Sequence, residues 1–255
     1  MESATYTGSP VLLSPLSFKL KLTVNEKPEV SESFRSLRGR LIVSCQADEG
    51  DPLDDTDTLV RIAASVLRGG AGGLRAEGVD HIVAFRAKTD LPIIGIIKTY
   101  DQNGDVYITP DFKSSRAVSE AGADIIALDC TRRRLLEPDP WPELIRRIHI
   151  ELHRPVCADI ATLEDAIAAE NAGADAVATT LYGYTSETSG IRAVCWPLID
   201  SLVTRLNIPV IVEGHITQPE EVTRALAMGA HSVVIGSAIT RPQTITARFV
   251  EATRC

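Results

Sequence analysis

Lys98 is the residue best placed to do chemistry. It ends the run Ile93-Ile94-Gly95-Ile96-Ile97-Lys98, so an apolar segment delivers its amine to a place where lost water and nearby cations favour the neutral form. A neutral lysine serves as a general base or forms a Schiff base with a carbonyl. The competing reading is a structural lysine paired with Asp129 or Glu213, and the residue alone divides evenly between the two. Glu213 has the same character. It closes Ile211-Val212-Glu213 beside Gly214, a residue that lets a ligand approach the backbone closely, and its carboxyl suits acid or base work. Asp129 and Asp159 end two further apolar runs and could orient substrate hydroxyls or hold Lys98. Gln46, Arg75 with Glu77, and Thr180 end three more.

A different chemistry is written at the end of the last run, Val233-Val234-Ile235-Gly236-Ser237. Gly236 and Ser237 offer unhindered backbone N–H groups, and Arg241 stands just before a helix opened by Pro242. Backbone amides, a helix N-terminus and a nearby arginine are what a phosphate needs, and Gly214 is placed to contribute. Neither a metal nor a cofactor is expected. The five histidines are scattered, and His149 and His153, four apart, lack a third ligand. His215, beside Gly214, reads as a loop residue at the edge of the site.

The elements that must position these groups follow from hydrophobic patterning. Apolar runs at 41–46, 72–77, 92–98, 124–130, 155–160, 175–180, 209–214 and 232–237 alternate with amphipathic segments of helical length. Near-continuously apolar strands separated by helices form a parallel sheet buried on both faces. Gly-Ala pairs at Gly70-Ala71, Gly122-Ala123, Gly173-Ala174 and Gly229-Ala230 recur at intervals of about 50 residues, the length of a βαβα module with glycine closing each helix. Pro92, Pro155 and Pro209 open alternate strands, where no ladder donor is needed. Eight strands in four modules predict a closed (β/α)8 barrel over an open sheet. Thr162 is placed to cap one helix and Pro219 to open another, while Leu59, Ile62, Ala63, Val66 and Leu67 mark a helix face packed on the sheet. Residues 1–38, rich in Ser, Thr, Pro and Lys, read as an N-terminal extension, and 39–255 as the barrel domain.

Composition narrows the partners. With 34 acidic against 26 basic residues and a net charge of −8, the chain is repelled by nucleic-acid phosphates and anionic membranes. The Arg132-Arg133-Arg134 run reads as a solvated face. Five cysteines show no metal-like spacing, and no run reaches the roughly 18 apolar residues of a membrane span. The absence of a basic region leading into an apolar stretch and a cleavage site points to the cytoplasm.

Several stretches together resemble the N-acylmannosamine-6-phosphate 2-epimerases, ribulose-phosphate-binding-like barrels: Ser44-Cys45-Gln46, Gly73-Leu74-Arg75-Ala76, Ile96-Ile97-Lys98, Tyr107-Ile108-Thr109-Pro110, Ala158-Asp159-Ile160, Val212-Glu213-Gly214 and Ile239-Thr240-Arg241-Pro242. The match runs over about residues 40–252. The resemblance implies a metal-independent interconversion of N-acetylmannosamine 6-phosphate and N-acetylglucosamine 6-phosphate in sialic-acid catabolism, by a homodimer acting on a phosphorylated N-acyl amino sugar. It implies Lys98 and Glu213 as the catalytic pair and Gln46, Arg75, Asp159 and Arg241 as substrate contacts. Thr180, Gly214, Gly236 and Ser237 fall in segments lining the sugar-phosphate site. Glu77, where an amide is usual, and His215, where Arg or Asn is common, depart from the pattern. Two other readings of the residues stand beside it: a Schiff-base phosphosugar aldolase or lyase, and a non-catalytic sugar-phosphate sensor.

Overall fold

The computed structural model describes residues 29–48 and 50–254. The described strands, in chain order, are β1 (Leu41–Cys45), β2 (Gly73–Glu77), β3 (Ile93–Ile96), β4 (Lys98–Tyr100), β5 (Val106–Ile108), β6 (Ile125–Asp129), β7 (Val156–Asp159), β8 (Ala176–Ala178), β9 (Val210–Glu213) and β10 (Ser232–Ile235). Eight of them close a barrel in the order β1-β10-β9-β8-β7-β6-β3-β2, while β4 and β5 form a separate two-stranded sheet. Every barrel pairing is parallel. The (β/α)8 architecture expected from the patterning is therefore present.

The helices are α1 (Glu32–Ser36), α2 (Thr56–Arg68), α3 (Val79–Arg86), α4 (Phe112–Glu120), α5 (Trp141–Arg147), α6 (Leu163–Asn171), α7 (Trp196–Arg205), α8 (Pro219–Ala227), α9 (Ser237–Thr240) and α10 (Pro242–Glu251). Thr162 caps α6 in a reciprocal box with Asp165, and Pro219 sits in the first turn of α8. The repeated Gly-Ala pairs end α2, α4, α6 and α8 in one way. Each glycine is left-handed, with φ near +100°, and each following alanine N–H reaches back to a carbonyl five residues earlier, as Ala71 does to Val66 and Ala230 to Ala225. Orphaned helix carbonyls are thereby satisfied just before the chain enters the next strand. Among the described residues, no helix is long and apolar enough to cross a membrane.

The core has an outer and an inner layer. Outside, α2 lays Leu59 and Ala63 against the sheet, and Gly95 in β3 leaves room for α4: a Cβ there would stand 2.5 Å from Val118 Cγ1. Inside, Ile42, Ile94, Cys157, Ile211 and Val234 pack with Phe34 and Leu37. Those last two belong to α1 and the turn after it, within the segment read as an extension. His231, which precedes β10, bonds through Nε2 to the Phe34 carbonyl at 2.6 Å and accepts at its own carbonyl from Gly39 N–H. Residues 29–39 thus seal the N-terminal end of the barrel. Residues 1–28 of that segment lie outside the described residues.

The run at 92–98 is not one strand. β3 stops at Ile96, and Lys98 begins β4, paired with Ile108 of β5 in an antiparallel hairpin. The turn is held by Asp101, whose Oδ1 accepts from Asn103 and Asp105 N–H, with Gly104 at φ +83°.

Candidate active site

The C-terminal ends of the barrel strands open onto a cleft of about 1130 Å³. Of the residues singled out from the sequence, Gln46, Arg75, Lys98, Thr180, Glu213, Gly214, Gly236, Ser237 and Arg241 line it. β3, which leads into Lys98, and β9, which ends in Glu213, stand four places apart in either direction around the eight-stranded ring. The amine and the carboxyl therefore come from opposite sides of the barrel mouth.

Arg75 is the hub of the site floor. It is 1% exposed and grips Asp159 with two hydrogen bonds, Nη1 to Oδ1 at 3.1 Å and Nη2 to Oδ2 at 2.6 Å. The same Nη1 lies 3.0 Å from Glu213 Oε2. Burial opposes the guanidinium charge, but the two carboxylates outweigh burial and hold its pKa above the usual value. Glu213 is pushed up to about 7 by burial, against the pull of Arg75. Asp159 is also raised by burial, again with Arg75 opposing. Thr179 clasps the Glu213 backbone, its hydroxyl donating to the carbonyl at 2.8 Å and accepting from the N–H at 3.0 Å. Thr180 Oγ1 faces both Asp159 and Glu213.

Burial lowers the pKa of Lys98; Asp48 and Glu77 oppose that shift, while Arg241 and Arg75 add to it. Its amine stands 3.6 Å from Asp48 Oδ1, so the acidic partner is Asp48 and neither Asp129 nor Glu213. Arg241 Nη1 shares Asp48, at 3.0 Å, and Asp51, at 3.2 Å. Gly236 precedes α9 and lies close to Ser44, whose Cβ a side chain there would meet at 3.3 Å. Gln46 donates through Nε2 to Ser44 Oγ at 2.8 Å.

Two of the sequence candidates lie off the cleft wall. Asp159 is fully buried beneath Arg75, so it orients the guanidinium from behind. Asp129, expected to meet substrate, is spent elsewhere. Its Oδ1 accepts from Thr131 N–H and hydroxyl, at 3.0 and 2.6 Å, and its Oδ2 from Arg133 Nε and Nη2, at 3.2 and 2.7 Å. Arg133 in turn stacks on Tyr107, 4.3 Å from its ring centroid, and bonds the Val106 carbonyl. The Asp129–Arg133 pair therefore clamps the hairpin that carries Lys98, and the basic run expected to be a solvated face supplies the clamp.

Asp48, Arg192 and Tyr184, which also line the cleft, had little signal in the sequence, whereas His215 was expected there as a loop residue at the edge of the site. Asp48 sits in an unpatterned loop. Arg192, Tyr184 and His215 stack in that order, with Arg192 4.6 Å from the Tyr184 ring centroid and the two rings 5.9 Å apart; no apolar period marks their loops. Glu77, a departure from the family pattern, lies 3.5 Å from Lys98 N–H. Among the described residues, no group of three or more His, Cys, Asp or Glu is arranged to hold a metal ion.

Fold and cleft together define a (β/α)8-barrel protein with titratable groups of both signs gathered at its strand ends. Comparison with known proteins narrows that class. The profile of the family described as "Putative N-acetylmannosamine-6-phosphate epimerase" matches residues 59–255. A relative from Clostridium perfringens (strain SM101 / Type A), named "Putative N-acetylmannosamine-6-phosphate 2-epimerase", is 43% identical over 215 residues, 84% of this chain and 97% of its own. Its namesake from Clostridioides difficile (strain 630) is 44% identical over 216 residues, 85% of this chain and 96% of the relative. The solved structure of N-acetylmannosamine-6-phosphate 2-epimerase from Clostridium perfringens superposes with a TM-score of 0.83 at 41% identity, covering 88% of this chain and 97% of that one. The chain belongs to this epimerase family.

Proposed function

We propose that this protein interconverts N-acetylmannosamine 6-phosphate and N-acetylglucosamine 6-phosphate, in the cytoplasm, by exchanging the proton at C2. The observation that carries this reading is the placement of Lys98 and Glu213 on opposite sides of one cleft, with burial favouring a neutral amine and a protonated carboxyl. Inverting a carbon requires a proton to leave one face and another to arrive on the opposite one. Once the sugar ring opens, Lys98 Nζ takes the C2 proton, and the C–H electron pair moves through C1–C2 onto the aldehyde oxygen as an enolate. Glu213 returns a proton to C2 from across the cleft, the enolate pair closes back to the aldehyde, and the stereocentre is inverted.

Arg75 and Gln46 are the groups to hold the developing oxyanion or the acetamido carbonyl, because an aligned donor acts most strongly where water is excluded. Gly214, Gly236, Ser237 and Arg241 form the phosphate grip, with Arg241 leaving Asp48 to meet the phosphate. Phe249 and Val250 on α10 are 73% and 44% exposed, and we assign them to a homodimer contact.

Proton NMR of the purified protein with N-acetylmannosamine 6-phosphate in heavy water tests the reading. Early product should carry deuterium at C2 while the remaining substrate keeps its C2 proton, and dialysis against a chelator should leave the rate unchanged. Product without deuterium would point to one base working both faces. Carbon–carbon cleavage, with borohydride trapping of substrate on Lys98, would replace the epimerase by a Schiff-base lyase.

A further inference from the structure

Two cations of the cleft share one carboxylate. Asp48 Oδ1 lies 3.6 Å from Lys98 Nζ, and its Oδ2 lies 3.0 Å from Arg241 Nη1. The same Nη1 reaches Asp51 Oδ2 at 3.2 Å. Two carboxylates thus balance two cations. A phosphate group carries up to two negative charges near pH 7, so bringing one to Arg241 takes this cluster from neutral to strongly negative. Repulsion then acts on both carboxylates, and the more loosely held one gives way.

Asp51 is the firmly held one. Its side chain is 11% exposed, and its Oδ1 accepts from Leu53 N–H at 2.8 Å. Asp48 has a side chain 58% exposed, lines the cleft, and is held at its carboxylate by Arg241 and Lys98. Its departure bears directly on Lys98. Burial, Arg241 and Arg75 favour the neutral amine there, while Asp48 from the loop after β1 and Glu77 from β2 favour the charged one. Glu213 from β9 also feels the amine, and Tyr100 of the hairpin faces Asp48 and Glu77. Of the two acids that favour the charge, Asp48 stands against the amine itself, whereas Glu77 lies 3.5 Å from the backbone N–H. Without Asp48 the balance moves toward the neutral lysine.

We propose that Asp48 is a displaceable counter-ion: it keeps Lys98 charged until a phosphate group at Arg241 drives it off, whereupon the amine gives its proton to water and becomes the base. This rests on the reading of Arg241 as part of the phosphate grip and of Lys98 as the base. Asp48 is a positioning residue that acts through Lys98. The phosphate thereby contributes to the chemistry as well as to binding, because a sugar without one leaves Asp48 in place and Lys98 charged.

The full chain has six lysines, few enough to follow each Nζ by ¹⁵N NMR, with Lys98 assigned by its loss in Lys98→Arg. Its midpoint is measured over about pH 6 to 10, with and without inorganic phosphate. Phosphate should lower the wild-type midpoint by about 1 unit, although its own charge acts in the opposite direction. Asp48→Asn should start at the lowered value and show no further fall with phosphate; Asp48→Glu should behave as the wild type. A wild-type midpoint that phosphate raises or leaves unchanged would overturn the proposal, whatever the variants do. Phosphate binding is read separately from ³¹P line broadening, which Arg241→Gln should abolish. Binding that survives this variant removes the grip and the proposal with it. Binding that is lost there, with no phosphate-linked shift of Lys98 in the wild type, sinks the displacement and leaves the grip standing. In turnover of N-acetylmannosamine 6-phosphate, Asp48→Asn should lower KM about 3- to 10-fold, more than it changes kcat, because Arg241 is no longer contested. A raised KM would make Asp48 a support of the grip and contradict its displacement.

Discussion

Burial acts in opposite directions on the two residues that face each other across the cleft, lowering Lys98 and raising Glu213 to about 7. The sign of the pH dependence follows. Well below 7 both groups carry protons and no base is available; above the Lys98 value both are bare and no acid is available. In the proposed mechanism the reacting form holds one proton between them. The rate profile in kcat/KM should therefore be bell-shaped, rising with pH through about 7 and falling again as Lys98 loses its proton. A flat acid limb between about pH 5 and 7 would remove Glu213 from the mechanism. At this scale the sequence was informative about Lys98, because five residues of near-continuous apolar chain before a lysine specify desolvation whatever the tertiary partner. It could not name the partner. Asp48 reaches Lys98 from the loop after β1, a contact set by barrel closure and not by any local pattern.

Elements decide where those side chains stand. Lys98 rides on a hairpin, not on the barrel strand, and that hairpin is pinned by Asp129 through Arg133 to Tyr107 and Val106. Asp129→Ala should loosen the hairpin and misplace the amine, lowering kcat on the order of 10-fold to 100-fold with little change in KM. An unchanged kcat in a folded variant would free Asp129 of that role. The eight barrel strands and the glycine-terminated helices were legible because burial on both faces and a left-handed helix stop each demand particular residues. The hairpin was not, since the apolar run continues through Ile97 without a breaker, and its own signal, Asn103-Gly104, comes only after the polar Lys98-Thr99-Tyr100. Asp129 was misjudged for a related reason: a carboxylate at a strand end looks alike from the sequence whether it faces a ligand or an arginine four residues on.

Over the whole molecule, the barrel keeps its chemistry at one end and its closure at the other. α1 and the turn after it insert Phe34 and Leu37, both fully buried, into the inner layer, although they fall in a segment whose composition resembles a polar extension. Phe34→Ala should cost about 3–5 kcal/mol of stability, read as a lower denaturation midpoint, because the barrel interior cannot collapse onto the void. Residual activity at low temperature should survive, since the cleft lies at the opposite end.

The central claim is that Lys98 removes the C2 proton, and exchange of that proton in heavy water by Lys98→Ala tests it most directly. The account predicts a folded protein, with a circular dichroism spectrum like that of the wild type, that incorporates no deuterium at C2 of N-acetylmannosamine 6-phosphate and forms no epimer from it. Exchange continuing near the wild-type rate would contradict it.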